Sequence, residues 1–187
     1  KLETMYLQDG KVAIDMIDTA FGQVNTAANR ALVQRVLDCA ALGGSERVWD
    51  LYAGAGNLSL PLARAAGQVV AVERDIAAVA AARAAASEHG IDNVDFHAVE
   101  VEEYVAGKSE VPDLVVLNPP RTGVGDHARR IAEHRAPRVI YVSCNPPTLA
   151  RDAAMFVALG YRMHRAHPID LFPQTCRVET VCELLLT

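Results

Sequence analysis

Five short apolar runs alternate with helix-forming stretches through the middle of this 187-residue chain. The runs are rich in Val, Leu and Ile, and they lie at residues 48–51, 69–72, 94–97, 114–117 and 139–142. Strands that alternate with helices in this way predict a mainly parallel sheet covered on both faces. Two further β-rich stretches, 161–167 and 178–186, follow the last helix and indicate an antiparallel end. The expected fold class is therefore α/β, with a seven-stranded sheet.

The segments between the strands predict the helices and the domain organisation. Periodicity and end signals place helices at residues 26–41, 58–66, 76–89, 126–134 and 148–159. Rough alternation in residues 1–20 indicates a lead-in strand or hairpin, and residues 21–187 are expected to form one main domain. A chain of this length with 51% hydrophobic residues can bury a full core for such a domain.

A glycine-containing turn follows the first of these strands. Gly54 and Gly56 lie between that strand and the next helix, and Glu73 ends the second strand. Glycines let a backbone approach a ligand closely, and an acidic side chain at the next strand end can accept hydrogen bonds from ribose hydroxyls. A nicotinamide dinucleotide site would need a third glycine inside the helix, which this chain lacks. The pattern favours S-adenosylmethionine over a dinucleotide.

Polar residues also follow two later strands. Asn118 begins an Asn-Pro-Pro-Arg turn, and Cys144 lies between a β-rich run and an Asn-Pro-Pro turn. A cysteine at a strand end lies at the rim of a sheet, where α/β enzymes carry their reactive groups. The alternative is a buried structural cysteine, which is the common role of a free cysteine. Three strands therefore end in a polar residue, namely Glu73, Asn118 and Cys144, and this favours one shared site over three unrelated loops.

Several motifs together resemble the RNA uracil-C5 methyltransferases, which make 5-methyluridine in ribosomal and transfer RNA. They occur in one order along the chain: FGQVN (21–25), DLYAGAGN (50–57), NPPRTG (118–123), SCNP (143–146), TLARD (148–152), FPQT (172–175) and VE (178–179). This resemblance extends from about Phe21 to Leu185. It implies a Rossmann-like, S-adenosylmethionine-dependent methyltransferase fold and an S-adenosylmethionine-dependent RNA (uracil-C5)-methyltransferase activity.

The resemblance also implies site residues. Cys144 would be the nucleophile that attacks C6 of the uracil, and Glu179 the base that removes the C5 proton. The cofactor-binding residues would be Gln23, Tyr52, Gly54, Asn57, Glu73, Glu100 and Asn118, and the substrate-binding residues Asn118 and Arg121. Many members carry Asp where this chain has Asn118. Asn at that position favours the ribosomal-RNA type, with 23S RNA as the target, over the transfer-RNA type.

Charge is distributed unevenly along the chain, whose net charge is −5. Residues 119–187 contain 9 Lys and Arg against 6 Asp and Glu, whereas residues 1–118 contain 9 against 17. The cationic part includes the motifs of the expected catalytic residues, where an RNA polyanion would approach. No metal-ligand spacing, signal peptide or membrane-spanning run is present in the sequence. A cytoplasmic, monomeric RNA-binding enzyme without a metal in this part of the chain is expected.

Members of the family carry further N-terminal parts, often an RNA-binding β-barrel and sometimes an iron–sulfur cluster. The chain is therefore expected to be a catalytic domain without that RNA-binding part. Two alternatives remain open. An amino-group methyltransferase acting on adenine or guanine would have an aromatic residue after Asn-Pro-Pro, where this chain has Arg121. A non-catalytic RNA-binding domain with this fold would be expected to have lost Cys144 or Glu179.

Overall fold

The computed structural model describes residues 3–5, 14–16, 26–170 and 178–187. Within these residues it contains nine strands: β1 (Glu3–Met5), β2 (Ile14–Met16), β3 (Arg47–Leu51), β4 (Gln68–Glu73), β5 (Val94–Ala98), β6 (Leu114–Leu117), β7 (Arg138–Ser143), β8 (Tyr161–Ile169) and β9 (Glu179–Leu186). The helices in the same residues are α1 (Thr26–Ala40), α2 (Ser59–Ala63), α3 (Ile76–Glu88), α4 (Val101–Ala106), α5 (His127–Glu133) and α6 (Pro146–Ala158).

Seven of the strands form one sheet in the order β5-β4-β3-β6-β7-β9-β8. The strands from β5 to β7 are parallel, whereas β9 pairs antiparallel with both β7 and β8. This arrangement confirms the expected seven-stranded, mainly parallel sheet with an antiparallel end. The short strands β1 and β2 pair antiparallel in a separate two-stranded sheet.

Helices cover both faces of the large sheet, which explains why its central strands are apolar on both sides. All four residues of β6 are buried. On one face, the core includes Leu32 of α1, Leu60 of α2 and Val79 of α3. On the other face, it includes Ile131 of α5 and Phe156 of α6. The sheet therefore packs between two separate cores, one on each face, and this packing keeps the strand ends in fixed positions.

Some element boundaries differ from the sequence-based expectation. Helix α4 was not predicted, because six residues are too few to show a clear period, although its inward residues Val101, Tyr104 and Val105 have helical spacing. Helix α2 ends at Ala63 rather than at residue 66. Its chain must turn before Gly67, where a Cβ would lie 2.8 Å from the Ser45 backbone.

Helix α6 begins at Pro146, two residues earlier than expected. Proline is well suited to the first helical position, since its missing N–H would have no partner there. The Asn-Pro-Pro sequence therefore starts a helix instead of an extended turn. Cys144 consequently lies in a link of only two residues between β7 and α6.

No helix in the described part of the chain is long and apolar enough to cross a membrane.

Candidate active site

The expected site residues converge on one edge of the sheet. The parallel strands β3, β4, β6 and β7 all have their carboxyl ends at this edge, so the residues that follow them lie side by side. Strand β9 runs in the opposite direction and therefore begins at the same edge. We call this edge the catalytic rim. It brings together the residues that end or follow four strands and the residue that starts a fifth.

Pairing between β7 and β9 brings Cys144 and Glu179 to the same end of the two strands. The last pair between these strands joins Ser143 to Thr180. Cys144 is the residue after Ser143, and Glu179 is the residue before Thr180, so both stand next to this pair at the rim. Two residues that are 35 positions apart in sequence thus become neighbours through the antiparallel end of the sheet.

Glu179 is a buried acid at the start of β9, with only 4% of its surface exposed. Burial raises the pKa of Glu179 to about 7, and the positive charge of Arg121 opposes this rise. A carboxyl with a pKa near neutral can accept a proton and release it again at physiological pH. Cys144 is half-buried, so its thiol remains reachable from outside. This arrangement suits a nucleophile paired with a base.

The glycine turn after β3 has the backbone conformation that a ligand-binding turn requires. Gly54 and Gly56 both have positive φ angles, +57° and +86°. Among the residues that the structure describes, no atom lies within 4 Å of the position a Cβ on Gly54 would take, so nothing in this part of the chain crowds the turn there. Tyr52 has φ +65°, a left-handed conformation that is unfavourable for a bulky residue. Strain of this kind concentrates at functional sites.

The Glu73 carboxylate braces this turn from the end of β4. Its Oε2 accepts a hydrogen bond from the Gly54 N–H at 3.0 Å, and its Oε1 accepts one from the Asp75 N–H at 3.0 Å. Each carboxylate oxygen has two lone pairs, so each can accept a further donor. Glu73 is partly exposed. Its position fits a residue that both holds the turn and binds hydroxyl groups of a ligand.

Asn57 is paired with a residue that the sequence did not single out. Its side-chain amide exchanges two hydrogen bonds with the amide of Asn29 on α1, at 2.9 and 3.0 Å. Asn29 is completely buried. A buried asparagine on an otherwise apolar helix face needs such a partner. In the sequence, the polar Asn29 on an apolar face of α1 was the available sign that this residue has a partner. Only the fold shows that the partner is Asn57.

Asp50 is a second residue near the turn that the sequence reasoning did not assign. It is completely buried, and its Oδ2 accepts a 2.5 Å hydrogen bond from the Ser59 hydroxyl. Its Oδ1 has no hydrogen-bond partner among the residues that the structure describes. Burial raises the pKa of Asp50 to about 7, although the Ser59 hydrogen bond opposes this rise; the Glu73 charge adds to it. In the sequence, the sign that Asp50 is unusual was its position as a charged residue within an apolar strand.

Three other expected residues lie along the catalytic rim. The Asn118 N–H donates to the Leu51 carbonyl at 3.2 Å, which extends the β3–β6 pairing to the start of the Asn-Pro-Pro turn. Arg121 is exposed and follows within the same loop. Glu100 follows β5 and lies 3.7 Å from Arg74 in an exposed ion pair. Gln23, the remaining expected cofactor residue, lies outside the described residues.

The other described cysteines lie within the protein core. Cys39 and Cys182 are both buried, and burial raises the pKa of each thiol, that of Cys182 to about 11. Buried thiols with raised pKa values are poor nucleophiles. Cys176 lies outside the described residues. Among residues 26–170 and 178–187 and the two short strands, no group of three His, Cys, Asp or Glu side chains could hold a metal ion.

Comparison with known proteins reveals the family. The profile described as tRNA (Uracil-5-)-methyltransferase matches residues 2–187. The chain belongs to this family. An uncharacterized RNA methyltransferase from Thermosynechococcus vestitus is 42% identical over 92% of this chain and 39% of that protein. A 23S rRNA (uracil(1939)-C(5))-methyltransferase, RlmD, from Pseudomonas putida is 44% identical over 86% of this chain and 36% of that protein.

The fold of this family member also matches a solved structure. The Pyrococcus abyssi tRNA (uracil-54, C5)-methyltransferase, crystallised with S-adenosyl-L-homocysteine, superposes with a TM-score of 0.83 and 28% identity. The match covers 98% of this chain and 44% of that protein. The expected methyltransferase fold is therefore confirmed. The chain spans about two fifths of the length of the curated relatives that it matches.

Proposed function

We propose that this domain transfers a methyl group from S-adenosylmethionine to C5 of a uridine in RNA through a covalent adduct between Cys144 and C6 of the base. The observation that carries the proposal is the pairing of β7 with β9, whose last pair joins Ser143 to Thr180 and so has Cys144 and Glu179 as the next residues at the catalytic rim. The family assignment supports the reaction class. The relatives named as 23S rRNA methyltransferases support ribosomal RNA as the substrate.

The residues around the glycine turn fit S-adenosylmethionine. No described residue crowds the turn at Gly54, and Glu73 has free acceptor capacity beside it. Tyr52, Asn57, Glu100 and Asn118 would complete the binding site along the rim, together with Gln23. When bound, S-adenosylmethionine supplies an electrophilic methyl group on a sulfonium sulfur. The residues of this chain would hold the cofactor so that this methyl group points at the uracil.

Cys144 and Glu179 would then act in sequence. The Cys144 thiolate forms a bond to C6, and the C5–C6 π electrons move toward C5 and the O4 carbonyl, which makes C5 nucleophilic. After C5 has been methylated, the Glu179 carboxylate takes the remaining C5 proton. The electron pair of that C–H bond restores the C5–C6 double bond and expels the Cys144 thiolate. Because Glu179 is buried, it can remove this proton without competition from solvent.

A 5-fluorouridine trap tests this function. Fluorine at C5 cannot leave as a proton does, so the adduct should persist. When the full chain is incubated with S-adenosylmethionine and ribosomal RNA that contains 5-fluorouridine, it should form a protein–RNA conjugate that is visible on a denaturing gel. The control variant Cys144→Ser should form none, because a serine hydroxyl is far less ionised than a thiol.

Two results would decide against the proposal. If the conjugate were absent with the wild-type chain, the covalent mechanism would be wrong. If Cys144→Ser methylated RNA at a near wild-type rate, the amino-group methyltransferase alternative would replace it.

The proposal also includes a monomeric, cytoplasmic enzyme. Within the described residues, the large hydrophobic side chains that are exposed lie in three different elements and one loop: Ile76 of α3, Val157 of α6, Met163 of β8, and Val111 between α4 and β6. Single exposed hydrophobic residues are ordinary on a monomer surface, whereas a stable interface needs a continuous patch. Sedimentation of the full chain should therefore give the mass of one copy.

A further inference from the structure

A buried carboxylate lies behind the catalytic rim. Asp152 of α6 has no exposed surface. Its Oδ2 accepts hydrogen bonds from the Val124 N–H at 2.7 Å and the Tyr141 hydroxyl at 2.6 Å, and its Oδ1 accepts one from the Gly125 N–H at 3.3 Å. The Arg151 guanidinium donates to Oδ1 at 2.8 Å. A buried charge is tolerated only with such complete pairing, so these groups form one connected unit.

This unit fastens the loop that contains Arg121. The Arg151 guanidinium also donates to the Thr122 carbonyl at 2.7 Å. The Arg121 carbonyl accepts from the Asn145 side-chain amide at 3.1 Å and from the Thr148 hydroxyl at 3.3 Å. The donors are Asn145, which precedes α6, and Thr148 and Arg151 in the first half of that helix. The loop from Arg121 to Gly125 is therefore held against the helix that follows Cys144.

Gly123 lets the loop approach the carboxylate. It has φ +76°, and a Cβ at this position would collide with the Asp152 Oδ2 and lie 2.8 Å from the Arg151 guanidinium. Both atoms are themselves fixed by hydrogen bonds, so neither can move aside cheaply. Only glycine allows the loop to pass this close to Asp152. The close approach is thus part of the same arrangement and not a consequence of loose packing.

The fastened loop sets where the Arg121 charge acts. The positive charge of Arg121 lowers the pKa of Glu179 against the effect of burial. Glu179 starts β9 and pairs with Ile169 of β8, which Asp170 follows, and Cys144 follows the last β7 residue that pairs with β9. Of these described neighbours, Arg121 is the cation. The hydrogen bonds given above tie its loop to α6, so the position of its charge depends on the Asp152 unit.

We propose that Asp152 is a positioning residue that, together with Tyr141 and Gly123, locks the Arg121 loop to α6 and so fixes the position from which the Arg121 guanidinium acts on Glu179. This inference rests on the proposed function, because it assigns a purpose to the effect of Arg121 on Glu179. Asp152 touches neither substrate nor cofactor in this assignment. It acts through the loop, and the loop acts through Arg121.

Limited trypsin digestion of the full chain tests the locking directly, without any activity measurement. The bond after Arg121 is a trypsin site that a locked loop protects. Asp152→Asn replaces an acceptor oxygen by a donor NH₂, so cleavage there should become faster by on the order of tenfold. Tyr141→Phe removes one donor and should accelerate cleavage about threefold to fivefold. Cleavage after Arg74, an exposed arginine in the β4–α3 turn, gives the reference rate in the same digest.

Glu183→Gln is the matched control variant. Glu183 is 6% exposed and pairs with Arg138 at 3.5 Å, away from the Arg121 loop. This variant removes a comparably buried carboxylate and should leave the bond after Arg121 protected. If Glu183→Gln accelerated that cleavage as much as Asp152→Asn, general destabilisation would explain the result and the locking would be wrong. Where Asp152→Asn fails to fold, Tyr141→Phe decides alone: unchanged protection overturns the proposal.

The pH dependence of methylation tests the second half of the proposal. Loss of the effect of the Arg121 charge on Glu179 favours the protonated acid, so the acid limb of the kcat profile should move to higher pH, by about half a unit or more. Asp152→Asn and Arg121→Gln should both show this shift, and the double variant no more than Arg121→Gln alone. Affinity for S-adenosylmethionine should stay unchanged. An unshifted limb in Asp152→Asn would contradict the positioning role.

These outcomes separate the inference from the proposed function. If the wild-type chain traps 5-fluorouridine RNA but the variants keep their loop protection and pH limb, only the positioning role of Asp152 fails. If the wild-type chain forms no adduct, the proposed function fails, and the trypsin result still reports whether Asp152 locks the loop.

Discussion

The two sides of the catalytic rim hold their residues in different ways. Around β3 and β4, a glycine turn is held by hydrogen bonds from side chains, with Glu73 on the Gly54 N–H and Asn29 on Asn57. Around β7 and β9, backbone pairing between antiparallel strands ends at Ser143 and Thr180, next to Cys144 and Glu179. One side is held by side-chain hydrogen bonds to a turn, and the other is held by the sheet itself.

This difference matches what each side has to do. A ligand-binding turn needs backbone groups and carboxylate oxygens that still have capacity for an incoming molecule, as at the partly exposed Glu73. A base beside a nucleophile instead needs a fixed separation and a low-polarity environment, which burial of Glu179 supplies. The reversal of strand direction at β9 therefore places the start of a strand beside the carboxyl ends of the parallel strands, which brings Glu179 to the rim where Cys144 lies.

The largest expected effect tests the β7–β9 side. Glu179→Gln keeps the shape of the side chain but removes the base, so turnover should fall by about 10²–10⁴-fold. Attack by Cys144 and methyl transfer should still occur, because neither step needs Glu179. The variant should therefore accumulate a protein–RNA conjugate with ordinary uridine RNA on a denaturing gel. If Glu179→Gln turned over at the normal rate, the base would be another residue, and the β7–β9 side would not differ from the glycine-turn side in the way described above.

The second prediction concerns the buried carboxyl on the cofactor side. The folded-state pKa of Asp50 is raised to about 7, so between about pH 4 and 7 the folded state keeps a proton that the unfolded state loses. The stability contributed by this group is therefore lost as pH rises through that window. Asp50→Asn removes the titration and should raise the free energy of unfolding at pH 8, relative to wild type, by about 2–4 kcal/mol more than at pH 4.

Denaturant unfolding at the two pH values measures this difference. Asp92→Asn, a change at an exposed carboxyl before β5, is the matched control and should show little difference between them. If Asp50→Asn also showed none, the unpartnered Oδ1 of Asp50 would have to be satisfied by a group that keeps the carboxylate charged.

The smallest predicted effect sharpens the role of the glycine turn. Glu73→Ala leaves the Gly54 N–H without its acceptor and removes the expected contact to ribose hydroxyls. Binding of S-adenosylmethionine, measured by calorimetry, should weaken by about 1–3 kcal/mol. At saturating cofactor the variant should still form the 5-fluorouridine adduct, because Cys144 and Glu179 lie on the other side of the rim. A loss of adduct at saturation would show that the two sides are not separable.

Local sequence patterns were sufficient for the strands of the sheet. The apolar runs lie within β3 to β7, and residues 114–117 coincide with β6. Short helices were less predictable: α4 has six residues, and the start of α6 depended on reading Pro146 as the first helical residue instead of as part of a turn. Propensity averaged over a short window is weak, and tertiary packing then decides where an element begins.

The site residues divide along the same line. The motifs named Cys144 and Glu179, and their assignment as nucleophile and base remains a prediction. Asn29, Asp50 and Asp152 lie in helices or strands where a polar residue could equally have faced solvent. Burial of each was settled only by the packing of distant segments, and each has a hydrogen-bond partner 9 to 28 positions away in sequence.

By itself, the sequence determined the alternation of strands and helices, the family, and the chemical groups available at the strand ends, because these depend on local pattern and residue identity. The tertiary structure decided which groups meet. Register between β7 and β9 brings Cys144 and Glu179 to the same strand end, and hydrogen bonds from α6 and from Asn145 hold the loop that contains Arg121, whose charge lowers the pKa of Glu179. Contacts between residues far apart in the chain arise only when both faces of the sheet are packed, since no local preference encodes them.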